Sequence, residues 1–330
     1  MAKKTISRIV GTGHAVPKKL LTNADLEKIV DTSDEWIKTR TGMEVRHIAE
    51  DGENTSDFAA EATRRALKDA GLDVKDLDAI IVASVTGDMQ FPSTACFVQD
   101  KLGAKQAAAF DIAAACSGFI YGLSMANGMI ATGQAETVAV VGAELLSRIT
   151  DYTDRSTCVL FGDGAGAAIV QKTDDDSRGI IDTYLRSDGS LYYLLYMPGG
   201  GTSVPFTQEN FDKKLFFIKM EGREVFKYAV TAMGEAAELI LRRNDLTGED
   251  VDLLVPHQAN LRIIDATARR VKIPPERVYV NIQKYGNTSA ASIPIALDEA
   301  RKEGRLQDGQ LALMVAFGAG FTWGSALVRF

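Results

Sequence analysis

The segment Phe110-Asp111-Ile112-Ala113-Ala114-Ala115-Cys116-Ser117-Gly118-Phe119 joins a predicted strand to a predicted helix through small residues and a cysteine. The residues from Gly118 to Thr132 are apolar on nearly every face, which predicts a buried helix with Gly133 as its C-terminal cap. Cys116 then lies at the N-terminus of this helix, where free N–H groups and the helix dipole favour the thiolate. The alternative is a buried and inert cysteine. Other segments of the chain have to decide between a reactive thiolate and an inert cysteine.

Length, composition and charge restrict the class of protein. The chain has 330 residues, 46% of them hydrophobic, which is enough for a large core in two domains or one duplicated domain. Its net charge of −7 argues against general nucleic-acid binding, and no apolar run is long enough to span a membrane. Three cysteines without metal-ligand spacing and three histidines predict no metal site. Unpaired thiols and the lack of an apolar signal core in the first residues predict a cytoplasmic protein.

An internal repeat organises the chain. Leu72–Ile81 is echoed by Leu246–Val255, and in each copy a helix precedes the segment, which ends in an apolar strand. Farther along, Val138–Gly142 is echoed by Leu313–Gly318, and again each segment follows a helix. We therefore predict two copies of one strand-and-helix unit, with residues 1–175 forming the first half and residues 176–330 the second.

The repeat also predicts where a functional site lies. One repeated helix begins just after Cys116 and the other just after Asn287, so a rough two-fold axis would place these residues at equivalent helix starts. His257 follows the predicted strand Leu253–Val255, at a strand end where ligands gather in such sheets. The three residues are expected to converge on one crevice. Each also has a simpler interpretation, His257 as a structural residue and Asn287 as an ordinary helix N-cap.

Two glycine-rich segments have limited meaning by themselves. Gly162–Gly166 predicts a tight turn and resembles a phosphate-binding loop, but the residues after it predict a strand and not a helix. We therefore discard a dinucleotide site. Phe317–Gly324 is compatible with a hairpin between two strands.

Taken together, these segments resemble the β-ketoacyl-acyl carrier protein synthase III family, the initiating condensing enzymes of bacterial type II fatty acid synthesis. The motifs that carry the resemblance span the chain: Ser33–Ile37, Arg40–Gly42, Ala114–Gly118, Phe161–Gly166, Pro256–Asn260, Gly286–Ala290 and Phe317–Phe330. The resemblance implies an α/β protein with the thiolase-like five-layered αβαβα fold, built from two similar halves and assembled as a homodimer. It also implies an acyltransferase whose partners are an acyl-coenzyme A, most simply acetyl-coenzyme A, and malonyl-acyl carrier protein. Coenzyme A enters as a substrate, so no cofactor is expected.

The resemblance assigns roles to the three converging residues. Cys116 would take the acyl group as a thioester, and His257 and Asn287 would donate hydrogen bonds to the carbanion left when malonyl loses CO₂. Backbone N–H groups of Cys116 and the Gly318–Ala319 turn would hold the oxyanion of the attacked thioester. The family usually carries glycine at position 319, and an alanine there would be strained if its φ were positive.

The resemblance also assigns binding residues. Trp36 and Arg155 would sandwich the adenine of coenzyme A, with Arg40 near its phosphates and Asn260 on the pantetheine arm. Phe91 would reach across the dimer interface to close the partner's acyl pocket, and Phe317 would form a second pocket wall.

A basic patch is expected to meet the acidic acyl carrier protein, because this chain is itself acidic. The candidates lie on the helix after Asn260: Arg262, Arg269, Arg270 and Lys272. Arg223 stands where some relatives carry asparagine, and its role is open.

Several alternatives are weighed against residue types. Elongating condensing enzymes use two histidines, where this chain offers Asn287, and thiolases need a second cysteine, which the turn at Gly318–Gly320 lacks. A papain-like hydrolase also uses Cys, His and Asn, but the repeat does not suit it. A starter-unit synthase or acyltransferase of a polyketide pathway, and a non-enzymatic acyl-binding protein, stay as alternatives.

Overall fold

Two β-sheets with a pair of helices between them form the centre of the protein. The structure, a computed structural model, describes residues 6–330, so the first five residues, which enter the export prediction, lie outside the described range. The strands are β1 Ser7–Ala15, β2 Lys19–Thr22, β3 Val45–Ile48, β4 Ala79–Ala83, β5 Ala108–Ile112, β6 Thr137–Leu145, β7 Asp163–Lys172, β8 Gly179–Ser187, β9 Leu195–Tyr196, β10 Lys219–Met220, β11 Leu253–Pro256, β12 Leu311–Gly318 and β13 Thr322–Arg329. The helices are α1 Asn23–Leu26, α2 Asp34–Thr41, α3 Thr55–Ala70, α4 Thr94–Leu102, α5 Gly118–Ala131, α6 Arg155–Cys158, α7 Gln208–Asp212, α8 Gly222–Arg243, α9 Leu261–Arg270, α10 Ile282–Tyr285 and α11 Ser292–Lys302.

Each large sheet is drawn from one part of the chain. The first has the strand order β1-β7-β6-β4-β5, with β4 parallel to both neighbours and β7 antiparallel to both of its own. The second has the order β11-β12-β13-β8, with β11 parallel to β12 and the hairpin β12–β13 antiparallel. The strands of the first sheet end at Lys172, and those of the second begin at Gly179.

The helices complete five layers. Helices α5 and α11 lie between the sheets, since α5 contacts β4 and β6 as well as β8 and β13, and α11 contacts β1 and β7 as well as β11. Helices α3 and α4 cover the outer face of the first sheet, and α8 and α9 cover the outer face of the second. The predicted αβαβα architecture is confirmed.

Full burial explains why the central elements lack amphipathic patterns. Every residue of β6 and β12 is buried, as expected for strands covered on both faces. Helix α5 runs from Gly118 to Ala131, close to the predicted bounds, and Gly133 beyond it has φ 72°. Its exposure is confined to one edge, where Met125 is 39% exposed.

The predicted turn at Gly162–Gly166 is wrong. From Asp163 onward these residues belong to β7 and pair with both β1 and β6. Their small size serves close packing, because a Cβ on Gly166 would lie 2.7 Å from the backbone N of Ile295 in α11. The glycines therefore let a helix approach the strand and do not bend the chain.

Two matching turns connect the central helices to the rest of their halves. The 3₁₀ turn Ala115–Ser117 leads into α5, and the 3₁₀ turn Ser289–Ala291 leads into α11. Their first residues share the left-handed conformation, with φ 45° at Ala115 and φ 47° at Ser289. This correspondence makes Ala290 the counterpart of Cys116. The predicted equivalence of Cys116 and Asn287 is therefore wrong by three residues.

Each turn presses against a glycine of the opposite sheet. A Cβ on Gly318 of β12 would lie 2.6 Å from the backbone N of Cys116, and a Cβ on Gly142 of β6 would lie 2.1 Å from the carbonyl O of Ala290. Real side chains do not tolerate such distances, so glycine is needed at both positions for steric reasons alone.

Replacing Gly142 with alanine should therefore strongly destabilise the protein. We expect G142A to lower the free energy of unfolding by about 3 kcal/mol, because backbone atoms of Ala290 must move to make room. The matched control is G128A inside α5, where a Cβ meets nothing within 4 Å and should stabilise by about 0.5–1 kcal/mol. Urea unfolding of the two variants measures both effects, and equal stabilities would contradict the packing argument.

Candidate active site

Cys116 lies between two cavities. On one side is the apolar cavity of about 210 Å³, which is lined by Val85, Leu146, Ile149, Met197, Ile218 and further residues. On the other side is a cavity of about 110 Å³, named here the His–Asn cavity, which is lined by His257, Asn287, Asn260, Phe226, Phe317 and further residues. A group bonded to the Cys116 sulfur can thus occupy one cavity while a second reactant enters the other.

The three predicted residues meet in the His–Asn cavity. Cys116 comes from the turn before α5, His257 follows β11, and Asn287 precedes the turn before α11. All three residues are buried, with 8%, 1% and 7% exposure respectively. The site is therefore shared by both sheets and largely removed from water.

His257 is held as a neutral hydrogen-bond donor. Its Nδ1 lies 2.6 Å from the Ser292 hydroxyl, and that hydroxyl accepts the Gln258 N–H at 3.4 Å. We assign the hydroxyl proton to the contact with Nδ1, which places the ring proton on Nε2. Burial lowers the pKa of His257 to about 3, so the ring is uncharged at neutral pH.

Asn287 is oriented by its own turn. Its Oδ1 accepts the backbone N–H of Ser289 at 2.9 Å, and its backbone N–H donates to the Leu160 carbonyl at 2.9 Å. Since Oδ1 is used, the Nδ2 donors are left for the cavity. The simpler interpretation of Asn287 as a helix cap is wrong, because the N-cap of α11 is Ala291.

The prediction that the helix N-terminus holds Cys116 as a thiolate is also wrong. Burial is the main cause that raises the pKa of Cys116 to about 12; a hydrogen bond with the Ser289 side chain lowers it, and the Glu144 charge raises it further. A rise of this size disfavours the thiolate by roughly 4 kcal/mol, whereas a helix dipole contributes at most about 2 kcal/mol. Desolvation outweighs the dipole, and the resting group is the thiol.

Gly318 and Ala319 lie beside Cys116, the position that the predicted oxyanion-binding role requires. Gly318 packs against the Cys116 backbone, and Ala319 lines the apolar cavity next to Cys116. The positive φ of this turn falls on Gly320, at 135°, and not on Ala319. Ala319 therefore avoids the backbone strain that a positive φ would cause.

The residues predicted to bind coenzyme A contact one another in two pairs, Arg155 with Trp36 and Asn260 with Arg40. The Arg155 guanidinium stacks on the Trp36 ring at 4.3 Å from its centroid. A sandwiched adenine would have to separate them by about the thickness of a ring, roughly 3.5 Å. Asn260 caps α9 by accepting the Arg262 N–H at 2.9 Å, and its Nδ2 donates to the Arg40 carbonyl at 2.9 Å. Both polar atoms of Asn260 thus have protein partners while it lines the His–Asn cavity.

The two predicted phenylalanines differ in environment. Phe317 is 5% exposed, lines the His–Asn cavity and packs on Phe321 at 4.6 Å between ring centroids. Phe91 is 83% exposed and stands clear of both cavities that touch Cys116.

The basic residues of α9 are not equivalent. Arg262 is exposed and stacks over Phe226 at 5.0 Å, at the edge of the His–Asn cavity. Arg269 is exposed, and so is Arg223 in the first turn of α8. Lys272 is also exposed, but the prediction that it lies on this helix is wrong, because α9 ends at Arg270. Arg270 pairs with Glu238 at 2.8 Å and donates to the Thr231 carbonyl, so its charge is largely neutralised within the fold.

Sequence reasoning missed Ser292 and Ser289, which orient His257 and Asn287. Both lie shortly after Asn287, and the only signal available was the run of small residues from Thr288 to Ser292. Within residues 6–330 there is no cluster of three or more metal-ligating side chains, and no helix has the length and apolar character needed to cross a membrane.

Comparisons with known proteins agree with this geometry. Residues 110–189 match the family model of 3-oxoacyl-[acyl-carrier-protein] synthase III, and residues 241–330 match the model of its C-terminal part. A β-ketoacyl-[acyl-carrier-protein] synthase III of Caldanaerobacter subterraneus subsp. tengcongensis is 55% identical over 100% of this chain and 99% of its own.

Solved structures extend the comparison. The crystal structure of 3-oxoacyl-[acyl-carrier-protein] synthase III from Aquifex aeolicus has a TM-score of 0.92 and 51% identity, over 98% of this chain and 100% of that one. The priming β-ketosynthase of the R1128 polyketide pathway has a TM-score of 0.91 but only 35% identity, over 100% and 98% of the two chains. The higher identities favour the fatty acid enzymes over the polyketide alternative.

The fold and these relatives define a condensing enzyme of the thiolase fold, which is an acyltransferase. Within that class, the chain belongs to the 3-oxoacyl-acyl carrier protein synthase III family.

The neutral state of His257 predicts a pH dependence of stability. Its folded pKa is about 3, against about 6.5 in an unfolded chain. Below pH 6.5 the unfolded chain therefore binds a proton that the folded chain does not bind. The free energy of unfolding falls as the pH falls, by up to about 1.4 kcal/mol per pH unit. His257→Gln removes this effect. Urea unfolding at pH 7 and pH 5 should show about 2 kcal/mol less acid destabilisation in the variant, and equal losses would contradict a buried neutral ring.

Proposed function

We propose that the protein initiates fatty acid synthesis by condensing a short acyl group from acyl-coenzyme A with malonyl-acyl carrier protein. The products are 3-ketoacyl-acyl carrier protein, coenzyme A and CO₂. The observation that carries the proposal is the meeting of Cys116, His257 and Asn287 in one cavity between the two sheets. Coenzyme A is a substrate here, and the reaction needs no cofactor.

In the first step the Cys116 sulfur attacks the thioester carbonyl, and the coenzyme A sulfur leaves. The acyl chain enters the apolar cavity of about 210 Å³, which has room for a short primer such as acetyl. The oxyanion accepts hydrogen bonds from the backbone N–H groups of Cys116 and of the Gly318–Ala319 turn, where charge develops in the transition state.

In the second step malonyl on the carrier protein loses CO₂ in the His–Asn cavity. The enolate oxygen accepts hydrogen bonds from Nε2 of His257 and Nδ2 of Asn287, the two donors that Ser292 and Ser289 leave unused. Both donors are neutral and buried, which strengthens their interaction with a developing charge. The carbanion then attacks the Cys116 thioester and releases the 3-ketoacyl product.

Coenzyme A and the carrier protein approach along the same side. The adenine inserts between Trp36 and Arg155, Arg40 lies near the phosphates, and Asn260 lines the path of the pantetheine arm. Arg262, with Arg269 and Lys272, offers positive charge to the acidic carrier protein. Arg270 contributes less because Glu238 pairs with it.

The active form is a cytoplasmic homodimer. Strand β5 is an edge strand that pairs only with β4 within the described chain, which leaves a row of backbone groups for a second copy. Nearby large apolar side chains are exposed, including Met89 at 52% and Phe91 at 83%. A partner that covers them would also let Phe91 close the partner's apolar cavity.

The acyl-enzyme step is tested by intact-protein mass after incubation with a panel of acyl-coenzyme A thioesters. One acyl group should add to the wild type and to the control variant Cys96→Ser, whose sulfur lies outside both cavities. Cys116→Ser should lose at least about 99% of the adduct formed in the same time, since the hydroxyl is a far weaker nucleophile without activation. The acyl-coenzyme A that forms the adduct fastest identifies the primer. No adduct with any donor would refute the acyl-enzyme mechanism.

The docking of the carrier protein is tested by charge reversal. Arg262→Glu should slow the malonyl-acyl carrier protein step by about tenfold at low salt, because a like charge then meets the acidic partner, while acylation by coenzyme A thioesters keeps its rate. Lys68→Glu makes the same charge change on α3 in the opposite outer layer and should leave both steps intact. Stopped-flow measurement of each half-reaction gives the acylation rate and the rate of the malonyl-acyl carrier protein step separately. Equal decreases of both rates in Arg262→Glu would count against the docking role.

A further inference from the structure

Glu144 is a carboxylate at zero exposure near the end of β6, and the mechanism proposed above does not use it. Its oxygens accept hydrogen bonds from the backbone N–H of Val85 and the hydroxyls of Ser84, Thr86 and Ser289. All four partners donate, as an ionised carboxylate requires. Burial without a neighbouring cation raises the pKa of Glu144 to about 7, so the group exchanges a proton near neutral pH.

One of these donors also reaches the nucleophile. The Ser289 hydroxyl lies 3.0 Å from Glu144 Oε1, and Ser289 lines the apolar cavity together with Cys116, whose pKa a hydrogen bond with the Ser289 side chain lowers. It has one proton to donate, and an ionised carboxylate is a stronger acceptor than a neutral thiol. The hydroxyl therefore points its proton at Glu144 and its lone pairs at the Cys116 S–H.

We propose that Glu144 is a positioning residue that accepts the Cys116 proton through the Ser289 hydroxyl during acylation. As the sulfur attacks the thioester carbonyl, the thiol proton moves to Ser289 Oγ and the Ser289 proton moves to Glu144 Oε1. The new bond joins the Cys116 sulfur to the acyl carbon, and the bond from that carbon to the coenzyme A sulfur breaks. The departing sulfur takes the electron pair and receives a proton, which Glu144 releases along the same path.

The geometry of His257 favours this route over direct proton transfer to the imidazole. Ser292 donates to Nδ1, so Nε2 carries the ring proton and faces the cavity as a donor. A donor cannot also accept the thiol proton without a change of tautomer. Its burial also opposes the imidazolium that would result.

Other charged groups around β6 are engaged elsewhere. Asp88 is bonded to Ser56, Asp163 to Ala49 and Ser147, and Arg148 to Glu50. On α3, Asp57 pairs with Lys101, and Glu61 pairs with two arginines of its own helix. The Glu144 charge, by contrast, acts on Cys116, where it helps to raise the pKa of the thiol.

The inference rests on acylation of Cys116 as proposed above, and the pH dependence of that step tests it. In the wild type, the rate of adduct formation should rise through an inflection near pH 7 as Glu144 loses its proton. Glu144→Gln keeps the size and the buried site but cannot accept a proton. It should slow acylation at pH 7.5 by about tenfold to a hundredfold, remove the inflection, and leave a rate that increases steadily with hydroxide.

Two further variants separate the proton path from a structural role. Ser289→Ala leaves Glu144 in place but breaks the path, so it should remove the same inflection, and the double variant should be no slower than the slower single one. Asp163→Asn neutralises another buried carboxylate of the same sheet and should keep the inflection. Thermal unfolding checks that each variant folds.

The outcomes distinguish the two levels of the proposal. An inflection near pH 7 that persists in Glu144→Gln or Ser289→Ala, or a wild-type rate in either, would overturn the role of Glu144 while leaving the acyl-enzyme mechanism standing. A wild type that forms no adduct would refute the acyl-enzyme mechanism itself.

Discussion

The reciprocal contact between the two halves is the constraint on which the site depends. The turn that carries Cys116 lies against Gly318 of the second sheet, and the turn at Ser289–Ala291 lies against Gly142 of the first. Each glycine lets a backbone approach closer than any side chain allows. This contact sets the position of the Cys116 N–H beside the Gly318–Ala319 turn, and it brings Ser289 within reach of both Cys116 and Glu144. Each of these turns also holds a non-glycine residue at positive φ, Ala115 in one and Ser289 in the other, and functional sites often contain such conformations.

Burial then sets the chemistry. The same desolvation raises the pKa of Cys116 and of Glu144 and lowers that of His257. Thiol and imidazole therefore rest uncharged, and charge appears only as the reaction proceeds. Donors fixed in a low-dielectric site stabilise that charge without having to reorganise. A dry pocket is costly for a resting thiolate but favourable for a short-lived oxyanion.

The larger features of the fold were readable from the sequence because they follow from periodicity and repetition. Helix α5 differs from its predicted bounds by only one residue at its end. The resemblance of the motifs also led to the three residues that meet in the His–Asn cavity. The helix bounds and the motifs that contain these residues are local patterns, which a single segment of the sequence displays by itself.

The errors came from tertiary effects that no local pattern displays. The register between the halves was misjudged at Asn287 because a 3₁₀ turn separates this residue from α11, and helix starts alone do not reveal it. The glycines of β7 were read as a turn because their packing partner, α11, is more than a hundred residues away. Glu144 was overlooked, although a lone carboxylate within a wholly buried apolar strand is itself a signal.

The match between Cys116 and Ala290 has an evolutionary consequence. A gene duplication that produced two similar halves would have produced two turns able to carry a nucleophile, each facing the glycine of the other copy. Here one copy keeps the reactive sulfur, and the other carries a methyl group at that position with supporting polar residues on either side. In the proposed mechanism the halves have diverged into a reacting copy and an assisting copy, and the reciprocal glycine contacts make the position of each turn depend on the sheet of the other half.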